Sequence, residues 1–331
     1  MSNTFEKIKR LTQLGISYKF KMLKPLCPPF QFVIEATNRC NFKCVFCPQS
    51  NPTHKDIRAV GNLSPSNFHL FVKKIKAVKY GNRNISICLD GEPFMNKAFP
   101  EFIKIANKEG MFPRFSSNAK LFTPGILDEL SCFNFLAAVD FSSEAEVFDS
   151  IRGKDGDFKI VLDNLRYLVN TAVKNPDIKI EIVDITHFSG VFDRASSLKK
   201  MRNLFPSNLP SNIKFWSRQF HNFGGHLQNE TRNSNVHNYK LCPYPWTQFN
   251  VTWDGNVVAC CRDIEGKTIL GNVFEQSILD IWRGEKYIEM RNSLIEKRVK
   301  DVAACEKCDM PYSASNKRWK AKYILSSLFR K

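Results

Sequence analysis

The stretch CNFKCVFC carries three cysteines, Cys40, Cys44 and Cys47, in the spacing CxxxCxxC. Thiolates bind soft metals, but a structural zinc site or a fully ligated cubane of four irons and four sulfides uses four protein ligands. A cubane held by three thiolates leaves one iron open, and a small molecule can bind there and react. The spacing therefore indicates a [4Fe–4S] cluster with an open iron. A zinc knuckle completed by His54 or His69 is the alternative.

A second group of cysteines lies nearer the C-terminus, in the spacing C-x17-C…C-x2-C. Its members are Cys242, Cys260, Cys305 and Cys308. Four thiolates can ligate every iron of a second [4Fe–4S] cluster, which then serves as a redox centre without a vacant site. A zinc ribbon uses the same ligand set and is the competing interpretation.

The segment QFNVTWDGNVVACC, between the first two cysteines of this group, predicts a β-hairpin. Alternating apolar residues flank Asp254-Gly255, a dipeptide suited to positive φ in a tight turn. The hairpin would bring Cys260 towards Cys242. Cys261 is an alternative ligand, although the spacing G-x4-C from Gly255 favours Cys260. Beside a cluster, Cys261 is also our candidate for a thiol that donates a hydrogen atom to a substrate radical.

The composition is that of a globular protein in a reducing compartment. The chain has 331 residues, of which 43% are hydrophobic, so we expect about two domains. No apolar run reaches the length of a membrane span, and the N-terminus MSNTFEKIKRLTQLG lacks the apolar block of a signal peptide. Eleven cysteines in such a chain favour metal or redox chemistry over disulfides. We therefore expect a cytoplasmic enzyme.

The charge is strongly basic, with a formal net charge of +17. Much of the excess lies in residues 1–29 and in the tail, residues 314–331, which mixes cations with apolar residues. Either end could form a basic amphipathic helix that contacts an anionic membrane surface, while solvated basic ends are the simpler interpretation. An anionic or nucleotide-linked substrate would also suit the charge. Nucleic acid is a disfavoured partner because no RNA-recognition motif accompanies the charge.

Strands and helices alternate along the first two thirds of the chain. Strands are predicted at 30–36, 84–90, 112–117, 135–142, 178–188 and 213–220, and helices at 64–78, 97–110, 126–133 and 158–175. This alternation predicts a parallel sheet with crossover helices, closed or part-closed into a barrel. The first cysteine triplet then follows the first strand, at the edge where parallel α/β folds bind ligands.

The order of motifs after successive strands resembles the radical S-adenosylmethionine (SAM) superfamily. The resemblance rests on CxxxCxxC with Phe46 before its last cysteine, and on Asp90-Gly91-Glu92-Pro93, which resembles the family's GGE segment with Asp90 in place of the first glycine. It implies a partial (β/α)6 TIM-like barrel in which SAM chelates the open iron and yields a 5'-deoxyadenosyl radical. Further SAM-binding residues implied by position are Phe46, Gly91, Glu92, Pro93, Asn118, Ser142 (or its neighbour Ser143) and Arg152.

The second cysteine group resembles the SPASM/Twitch extensions of radical SAM enzymes. Full SPASM domains carry seven cysteines and two auxiliary clusters, whereas four well-spaced cysteines here imply a single auxiliary [4Fe–4S] cluster in a small C-terminal domain with a β-hairpin. The implied domains are a basic N-terminal helical segment at 1–29, a radical SAM barrel at 30–223, a linker at 224–238, a SPASM/Twitch domain at 239–313 and a basic tail at 314–331.

The auxiliary spacing is similar to that of Twitch dehydrogenases that oxidise a secondary alcohol of an aminocyclitol. We therefore expect an oxidoreductase that acts on a carbohydrate, cyclitol or nucleotide-linked sugar, with flavodoxin or ferredoxin as electron donor. Candidate substrate contacts at strand ends are Asp184, His187, Arg218 and His221. The alternatives are a maturase that modifies peptides or proteins, a radical sugar epimerase, and a zinc-bearing nucleic-acid binder.

Overall fold

A computed structural model of the chain describes residues 2–78, 83–152, 157–190, 193–218, 222–225 and 239–312. The helices are α1 Ser2–Lys19, α2 His54–Ile57, α3 Pro65–Ala77, α4 Phe99–Lys108, α5 Pro124–Leu130, α6 Ala145–Arg152, α7 Phe158–Lys174, α8 Arg194–Arg202, α9 Tyr244–Thr247, α10 Ile278–Trp282 and α11 Glu285–Ile295. The strands are β1 Gln31–Ile34, β2 Asn84–Ile87, β3 Phe112–Ser117, β4 Phe135–Phe141, β5 Ile178–Asp184, β6 Ile213–Ser217, β7 Gln248–Val251, β8 Asn256–Val258 and β9 Ile269–Asn272.

The chain divides into two compact units. The first unit comprises residues 1–33, 70–83 and 221–331, and the second unit comprises residues 34–69 and 84–220. The first cysteine triplet belongs to the second unit, whereas the second cysteine group belongs to the first unit. The predicted linker at 224–238 and the predicted tail at 314–331 lie almost entirely outside the described residues.

The second unit is built on a parallel sheet. Its strands lie in the order β2-β3-β4-β5-β6, and over the described residues this sheet does not close into a ring. Strand β4 pairs with β5 along its whole length, from Phe135 opposite Ile178 to Phe141 opposite Asp184. Burial alternates along β3 and β4, as period-2 side-chain geometry requires. The predicted α/β fold with an unclosed parallel sheet is confirmed.

A group of phenylalanine rings packs together around Phe115 of β3. Phe94 packs edge-on against Phe99 and Phe122, with ring centroids 4.7 and 4.5 Å apart, and Phe115 packs against both. Phe99 begins α4, so the aromatic group fixes where that helix sits against β3. Edge-to-face pairs of this kind add about 1 kcal/mol each to the stability gained from burial. Closely packed aromatic side chains therefore support the strands whose C-terminal ends carry the predicted site.

The first unit contains strands in the order β1-β7-β8-β9, in which β7 and β9 both pair antiparallel with β8. The predicted hairpin is confirmed, because β7 pairs antiparallel with β8 and the register places Asn250 opposite Val258. Gly255 turns the chain with φ +89°, where a Cβ atom would lie 2.3 Å from the Phe274 ring. Only glycine suits both requirements. Strand β9, which the sequence did not predict, extends the sheet beyond the hairpin.

Helix α1 packs on the body of the first unit. Leu14 and Cys27 form a buried cluster with Trp246 of α9, and the Trp246 indole N–H donates to the Met22 carbonyl oxygen at 2.8 Å. A second buried indole, that of Trp282, donates to the Cys27 carbonyl oxygen at 3.1 Å. Because the N-terminal segment supplies the acceptors of both indoles, it belongs with the C-terminal part of the chain and is not a separate piece. None of the described helices is long and apolar enough to span a bilayer.

Candidate functional site: two groups of cysteines

The first cysteine triplet lies on an irregular loop that follows β1. Backbone hydrogen bonds attach this loop to the end of α6: the Val45 N–H donates to the Ile151 carbonyl oxygen at 2.9 Å. Within the loop, the Cys47 N–H donates to the Cys44 carbonyl oxygen at 2.9 Å. These hydrogen bonds fix the conformation of the loop that carries the three thiols, although the thiols lie outside any helix or strand.

Aromatic rings enclose the cysteine loop. Phe42 is buried and packs edge-on against Phe148 of α6. Phe46, the predicted SAM-contacting residue, stacks on Phe188 with ring centroids 4.1 Å apart. Burial raises the pKa of the Cys40 thiol to about 12 and also raises the pKa of Cys47. Buried thiols remain protonated until a metal displaces the proton, and such an apolar wall excludes water from a bound cluster. The loop thus fits an iron–sulfur cluster.

Gly91 brings the end of β2 directly against the cysteine loop. Its φ is +70°, and a Cβ atom on it would lie 2.5 Å from the Thr37 carbonyl oxygen and 2.6 Å from the Arg39 carbonyl oxygen. The next residue, Glu92, donates its N–H to the Arg39 carbonyl oxygen at 2.7 Å. No other residue fits this approach without moving the backbone. Pro93 then opens a short 3-10 turn that ends at Met95.

The Glu92 carboxylate joins the ends of two neighbouring strands. Oε1 accepts from the Ser117 hydroxyl at 2.7 Å, and Oε2 accepts from the Asn118 N–H at 2.8 Å, both at the end of β3. Burial raises the pKa of Glu92 to about 7 in spite of these donors. The side chain of Asn118 in turn donates to Asn41 Oδ1 at 2.7 Å, within the cysteine loop. Both predicted SAM contacts therefore also position the loop.

Asp90, the residue that replaces the family's first glycine, has a set of partners of its own. Its Oδ1 accepts from the Gln49 amide at 2.8 Å, and Oδ2 lies 2.9 Å from His54 Nε2 and 3.5 Å from Arg58. Arg58 forms a bidentate pair with the fully buried Glu35 at 2.9 and 2.6 Å. This network ties the segment after the cysteine loop to Glu35, which follows β1, and to Asp90, which follows β2.

Two adjacent serines follow β4, and the structure distinguishes them. The Ser142 hydroxyl is buried and lies 3.0 Å from the Thr186 hydroxyl. The Ser143 hydroxyl oxygen is also buried, yet it has no hydrogen-bond partner in the described part of the chain. A buried hydroxyl without a partner costs about 1–3 kcal/mol, so Ser143 is the better placed of the two to receive a ligand.

Arg152, at the end of α6, points at the cysteine loop. Its Nη1 donates to Cys44 Sγ at 3.3 Å, its Nη2 donates to the Asp140 carbonyl oxygen, and its guanidinium lies 5.5 Å from the Phe42 ring centroid. The side chain is almost fully buried. Burial alone would lower the pKa of Arg152, but Cys44 and Asp140 outweigh it and the pKa is raised. Arg152 therefore contacts a predicted cluster ligand, and its predicted role in SAM binding stays a prediction.

The four candidate substrate residues fall into different environments. Asp184 is fully buried, and its carboxylate accepts from Thr186 at 2.6 Å and from Ser217 at 3.1 Å, a structural role that joins β5 to β6. Arg218 donates to Asp140 Oδ1 at 2.6 Å. Burial lowers the pKa of His187. His221 lies outside the described residues. Asp140, which sequence reasoning missed, accepts from Arg218 through its carboxylate and from Arg152 through its carbonyl oxygen.

The second cysteine group lines a single cavity in the first unit. Cys242, Cys260, Cys305 and Cys308 all contribute to its wall, and the other lining residues are Tyr244, Pro245, Ala259, Arg262, Met290, Leu294, Ala304, Met310 and Pro311. Cys261 is absent from this wall, which supports the choice of Cys260 as ligand. Burial raises the pKa of all four thiols, that of Cys242 to about 12.

The donor set of this cavity fits a cluster. Across the described residues, no group of three or more His, Cys, Asp or Glu side chains converges on one point as the ligands of a single ion do. A cubane binds each thiolate to a different iron, so it requires thiols spread over a cavity wall. The apolar remainder of the wall excludes solvent, a property that tunes the redox potential of such a centre.

Comparisons with known proteins agree with this geometry. A family model described as the radical SAM superfamily matches residues 34–189, and a second, SPASM, described as an iron-sulfur cluster-binding domain, matches residues 242–309. The chain carries a radical SAM domain followed by a SPASM domain. Its cofactors are therefore SAM, the [4Fe–4S] cluster of the radical SAM domain and an auxiliary iron–sulfur cluster.

Individual relatives are distant. An S-adenosyl-L-methionine-dependent 2-deoxy-scyllo-inosamine dehydrogenase of Niallia circulans is 23% identical over 278 residues, which cover 83% of this chain and 91% of the relative. Among solved structures, BtrN in complex with AdoMet and 2-DOIA is 19% identical with a TM-score of 0.56, covering 85% of this chain and 93% of BtrN.

Two further structures share the fold. The structure of anSMEcpe with bound AdoMet gives a TM-score of 0.60 at 15% identity and covers 91% of this chain and 94% of that one. Streptococcus suis SuiB bound to precursor peptide SuiA gives a TM-score of 0.52 at 16% identity, covering 83% of this chain and 69% of SuiB. At such identities these similarities establish the fold of the chain and nothing of its substrate.

Proposed function

We propose that the protein is a radical SAM dehydrogenase that oxidises a secondary alcohol of a carbohydrate, cyclitol or nucleotide-linked sugar. The observation that carries the proposal is the cavity of the first unit, where four thiols can ligate one auxiliary cluster completely. A fully ligated cluster has no iron to offer a substrate, so its use is to exchange electrons. The dehydrogenase of Niallia circulans, which aligns over 91% of its length, supports the same reaction class.

The reaction balances as a two-electron oxidation. Bound SAM would supply the 5'-deoxyadenosyl radical that takes one hydrogen atom from the carbinol carbon, so this C–H bond would break as a C–H bond of 5'-deoxyadenosine forms. The substrate hydroxyl would then release its proton to solvent, and one electron would pass to the auxiliary cluster as the C=O bond forms. An external donor such as flavodoxin or ferredoxin would supply the separate electron that cleaves SAM.

The chain's own residues have distinct parts in this proposal. Cys40, Cys44 and Cys47 would hold the cluster that SAM chelates, and the Gly91-Glu92 backbone would receive the SAM amino group. The partnerless hydroxyl of Ser143 is a candidate for the SAM ribose or carboxylate. The spacing and burial of the cysteines support their role as ligands in both groups, and the cavity that the four cysteines of the first unit line supports it further in the second group.

The proposal is tested by anaerobic incubation of the reconstituted protein with SAM, a reductant and a panel of aminocyclitols, cyclitols and nucleotide sugars. The expected result is one compound that loses two mass units with formation of an equal amount of 5'-deoxyadenosine. A substrate deuterated at the carbinol carbon should transfer its label to 5'-deoxyadenosine. Substrate inversion without loss of mass would instead identify an epimerase.

Two variants separate the remaining enzyme classes. Cys261→Ala should retain turnover in a dehydrogenase, since no hydrogen atom returns to the product, whereas an epimerase that uses this thiol would stop. Peptide modification is the second candidate, because SuiB, which shares the fold, was solved with a precursor peptide. A mass change in a ribosomal peptide with no change in any sugar or cyclitol would favour it.

We also propose that α1 contacts an anionic membrane surface. Its outer face exposes Ile8 and Ile16, the chain after it exposes 68% of Phe20, and Lys9 and Lys19 are exposed beside them. Apolar residues flanked by lysines are typical of helices that lie at a lipid headgroup layer. The protein should sediment with vesicles that contain phosphatidylserine but not with pure phosphatidylcholine.

A matched pair of variants tests the membrane proposal. Phe20→Ser should reduce sedimentation with the anionic vesicles, because it removes the most exposed apolar ring of this face. Val173→Ser, which removes a half-exposed apolar residue of α7, should not change it. Equal binding to both kinds of vesicle, or equal loss in both variants, would contradict a specific role for this face.

A further inference from the structure

One charged side chain faces the cavity of the second cysteine group. Among the described residues that line it, Arg262 alone carries a charge, and the rest are cysteines, apolar residues, prolines and one tyrosine. The Arg262 side chain is only 12% exposed. A buried cation is costly unless it has partners, so its contacts indicate what it does there.

Arg262 donates to two predicted cluster ligands. Its backbone N–H lies 3.4 Å from Cys260 Sγ, and its guanidinium Nη1 lies 3.9 Å from Cys308 Sγ. The same nitrogen donates to Asp309 Oδ1 at 2.6 Å. An arginine guanidinium remains protonated in proteins, so Arg262 places a cation between the Cys308 sulfur and the Asp309 carboxylate.

Asp309 is fixed beside the ligands that it follows in sequence. Its Oδ2 accepts from the Asn222 N–H at 3.0 Å, and its own N–H donates to Asn222 Oδ1 at 3.2 Å. Asn222 also donates to the Lys307 carbonyl oxygen at 2.8 Å. The chain that carries Cys305 and Cys308 is therefore held in place independently of Arg262, and the cation and the carboxylate are arranged as a fixed pair at the cavity.

The charges of this pair act on a redox centre in opposite directions. Reduction adds one negative charge to a cluster, so a nearby cation and N–H···S hydrogen bonds favour the reduced state and raise the reduction potential. A nearby carboxylate disfavours that state. Both effects are large in a water-poor cavity because the effective dielectric is low. Arg262 contacts the sulfurs of Cys260 and Cys308, whereas Asp309 bonds to the Arg262 guanidinium and is the more exposed of the two side chains, 21% against 12%.

We propose that Arg262 and Asp309 together set the reduction potential of the auxiliary cluster, with Arg262 holding it high enough to accept an electron. This deepens the proposed function, on which its physiological meaning rests: the substrate radical loses one electron as its carbonyl forms, and the auxiliary cluster gains that electron. Arg262 is a positioning and tuning residue, since it acts through the cluster ligands and not on the substrate.

The test measures the potential of the auxiliary cluster without substrate. A full-length Cys40→Ala/Cys44→Ala/Cys47→Ala variant, reconstituted with iron and sulfide, keeps only the auxiliary cluster, and its midpoint potential is obtained by redox titration followed by electron paramagnetic resonance. In this background Arg262→Gln should lower the midpoint potential and Asp309→Asn should raise it. Asparagine keeps an acceptor for the Asn222 N–H, so the second change removes charge with little change of shape.

The opposite signs distinguish tuning from mere loosening of the cavity, which would shift both variants in the same direction. Arg298→Gln is the matched control, because Arg298 is half-exposed in the same unit and pairs with Glu296 on the surface. It should leave the potential unchanged. Arg262→Lys, which restores the charge, should recover part of the shift.

Three outcomes would overturn the proposal: an unchanged potential in Arg262→Gln, a shift of the same sign in both variants, or an equal shift in the Arg298 control. Iron and sulfide content is measured first. If Arg262→Gln fails to hold the cluster, Arg262→Lys and Asp309→Asn decide the question. Because no substrate is present, these results stand even if the substrate is a peptide, so failure of the dehydrogenase proposal and failure of this one are distinguishable.

Discussion

The two cysteine groups use the same ligand chemistry in different structural settings. Cys40, Cys44 and Cys47 lie on an irregular loop held by backbone hydrogen bonds, whereas the four cysteines of the first unit converge on one cavity from separated parts of the chain. The loop supplies one thiol fewer than a cubane has irons, and the cavity supplies one for each. In the proposed function this difference separates a cluster that binds a reactant from a cluster that accepts an electron.

Both groups nevertheless place an arginine on one thiol. Arg152 lies 3.3 Å from Cys44 Sγ and Arg262 lies 3.9 Å from Cys308 Sγ. The second partner of Arg152 is a backbone carbonyl oxygen, while that of Arg262 is the carboxylate of Asp309. Among the described residues no carboxylate is hydrogen-bonded to the cation beside the loop, and the Asp140 carboxylate is paired with Arg218. The two clusters need not share one potential.

The largest effect is expected from removing a ligand in each group. Cys40→Ala should abolish formation of 5'-deoxyadenosine, because SAM then has no cluster to chelate. Cys305→Ala should still cleave SAM, at a reduced rate, but should form no oxidised product. Chromatography of 5'-deoxyadenosine and product from the same reaction measures both. Identical behaviour of the two variants would remove the division of roles between the groups.

The next effect concerns the close approach of the Gly91 backbone to the cysteine loop. Gly91→Ala would place a methyl group 2.5 Å from the Thr37 carbonyl oxygen, so the backbone must move. Gly110→Ala is a matched control, since Gly110 has φ +73° but nothing within 4 Å of the added atom. Both variants lose about 1 kcal/mol to the left-handed conformation, and Gly91→Ala should lose ~2 kcal/mol more through overpacking.

Two measurements check the glycine pair. Anaerobic thermal unfolding should show the larger loss for Gly91→Ala, and SAM titration should show weakened binding only in that variant. The iron that belongs to the first unit should be retained in both. Equal losses in the two variants would mean that the approach of the β2 end to the loop has no special role.

Sequence reasoning located the site because its ligands follow a local spacing. The strands were predicted in the right places, with β3 at its observed bounds, but most predicted strands run on too far at their C-terminal ends. The reason is visible at β5: Asp184 ends the strand and its carboxylate organises the turn through Thr186. Polar residues just after a strand, which take no part in strand pairing and contribute to the site, look in the sequence like a continuation of the strand.

What the sequence missed are contacts between positions far apart in the chain. No spacing relates Asp140 to Arg152 and Arg218, or Glu92 to the end of β3. Arg262 carried a usable signal, since it directly follows a Cys-Cys pair, but its approach to Cys308 depends on folding. The grouping of α1 with the C-terminal part of the chain likewise rests on indole acceptors at Met22 and Cys27 that no local pattern reveals.

A smaller effect should appear in the pH dependence of stability. Burial raises the pKa of Glu92 to about 7, above its ordinary value of 4.5. The folded protein therefore holds this proton more tightly than the unfolded chain. The resulting stabilisation is complete below pH 4.5, is lost as pH rises through 7, and amounts to about 3 kcal/mol. Glu92→Gln has no carboxyl group at this position and should lack this pH-dependent stabilisation.

Thermal melts of Glu92→Gln and of the unsubstituted protein at pH 5 and pH 8 check this sign. The unsubstituted protein should lose stability relative to the variant as pH rises. Glu101→Gln, which changes an exposed carboxylate of α4 in the same unit, should not alter the pH dependence. A parallel pH profile in the Glu92 variant would show that the buried carboxyl titrates normally.

The smallest effects separate the two serines after β4, and they test how the loop's group binds its reactant. Ser143→Ala should weaken SAM binding by about 1 kcal/mol, roughly fivefold, with little change in melting temperature, because its hydroxyl has no partner among the residues that the structure describes. Ser142→Ala should do the reverse: it breaks the contact with Thr186 and costs about 1 kcal/mol of stability, while SAM affinity is retained. Equilibrium SAM titration and thermal unfolding of both variants measure the split. If Ser142→Ala alone weakened SAM binding, the serine implied by the family resemblance would be the ligand, and the partnerless hydroxyl of Ser143 would need another explanation.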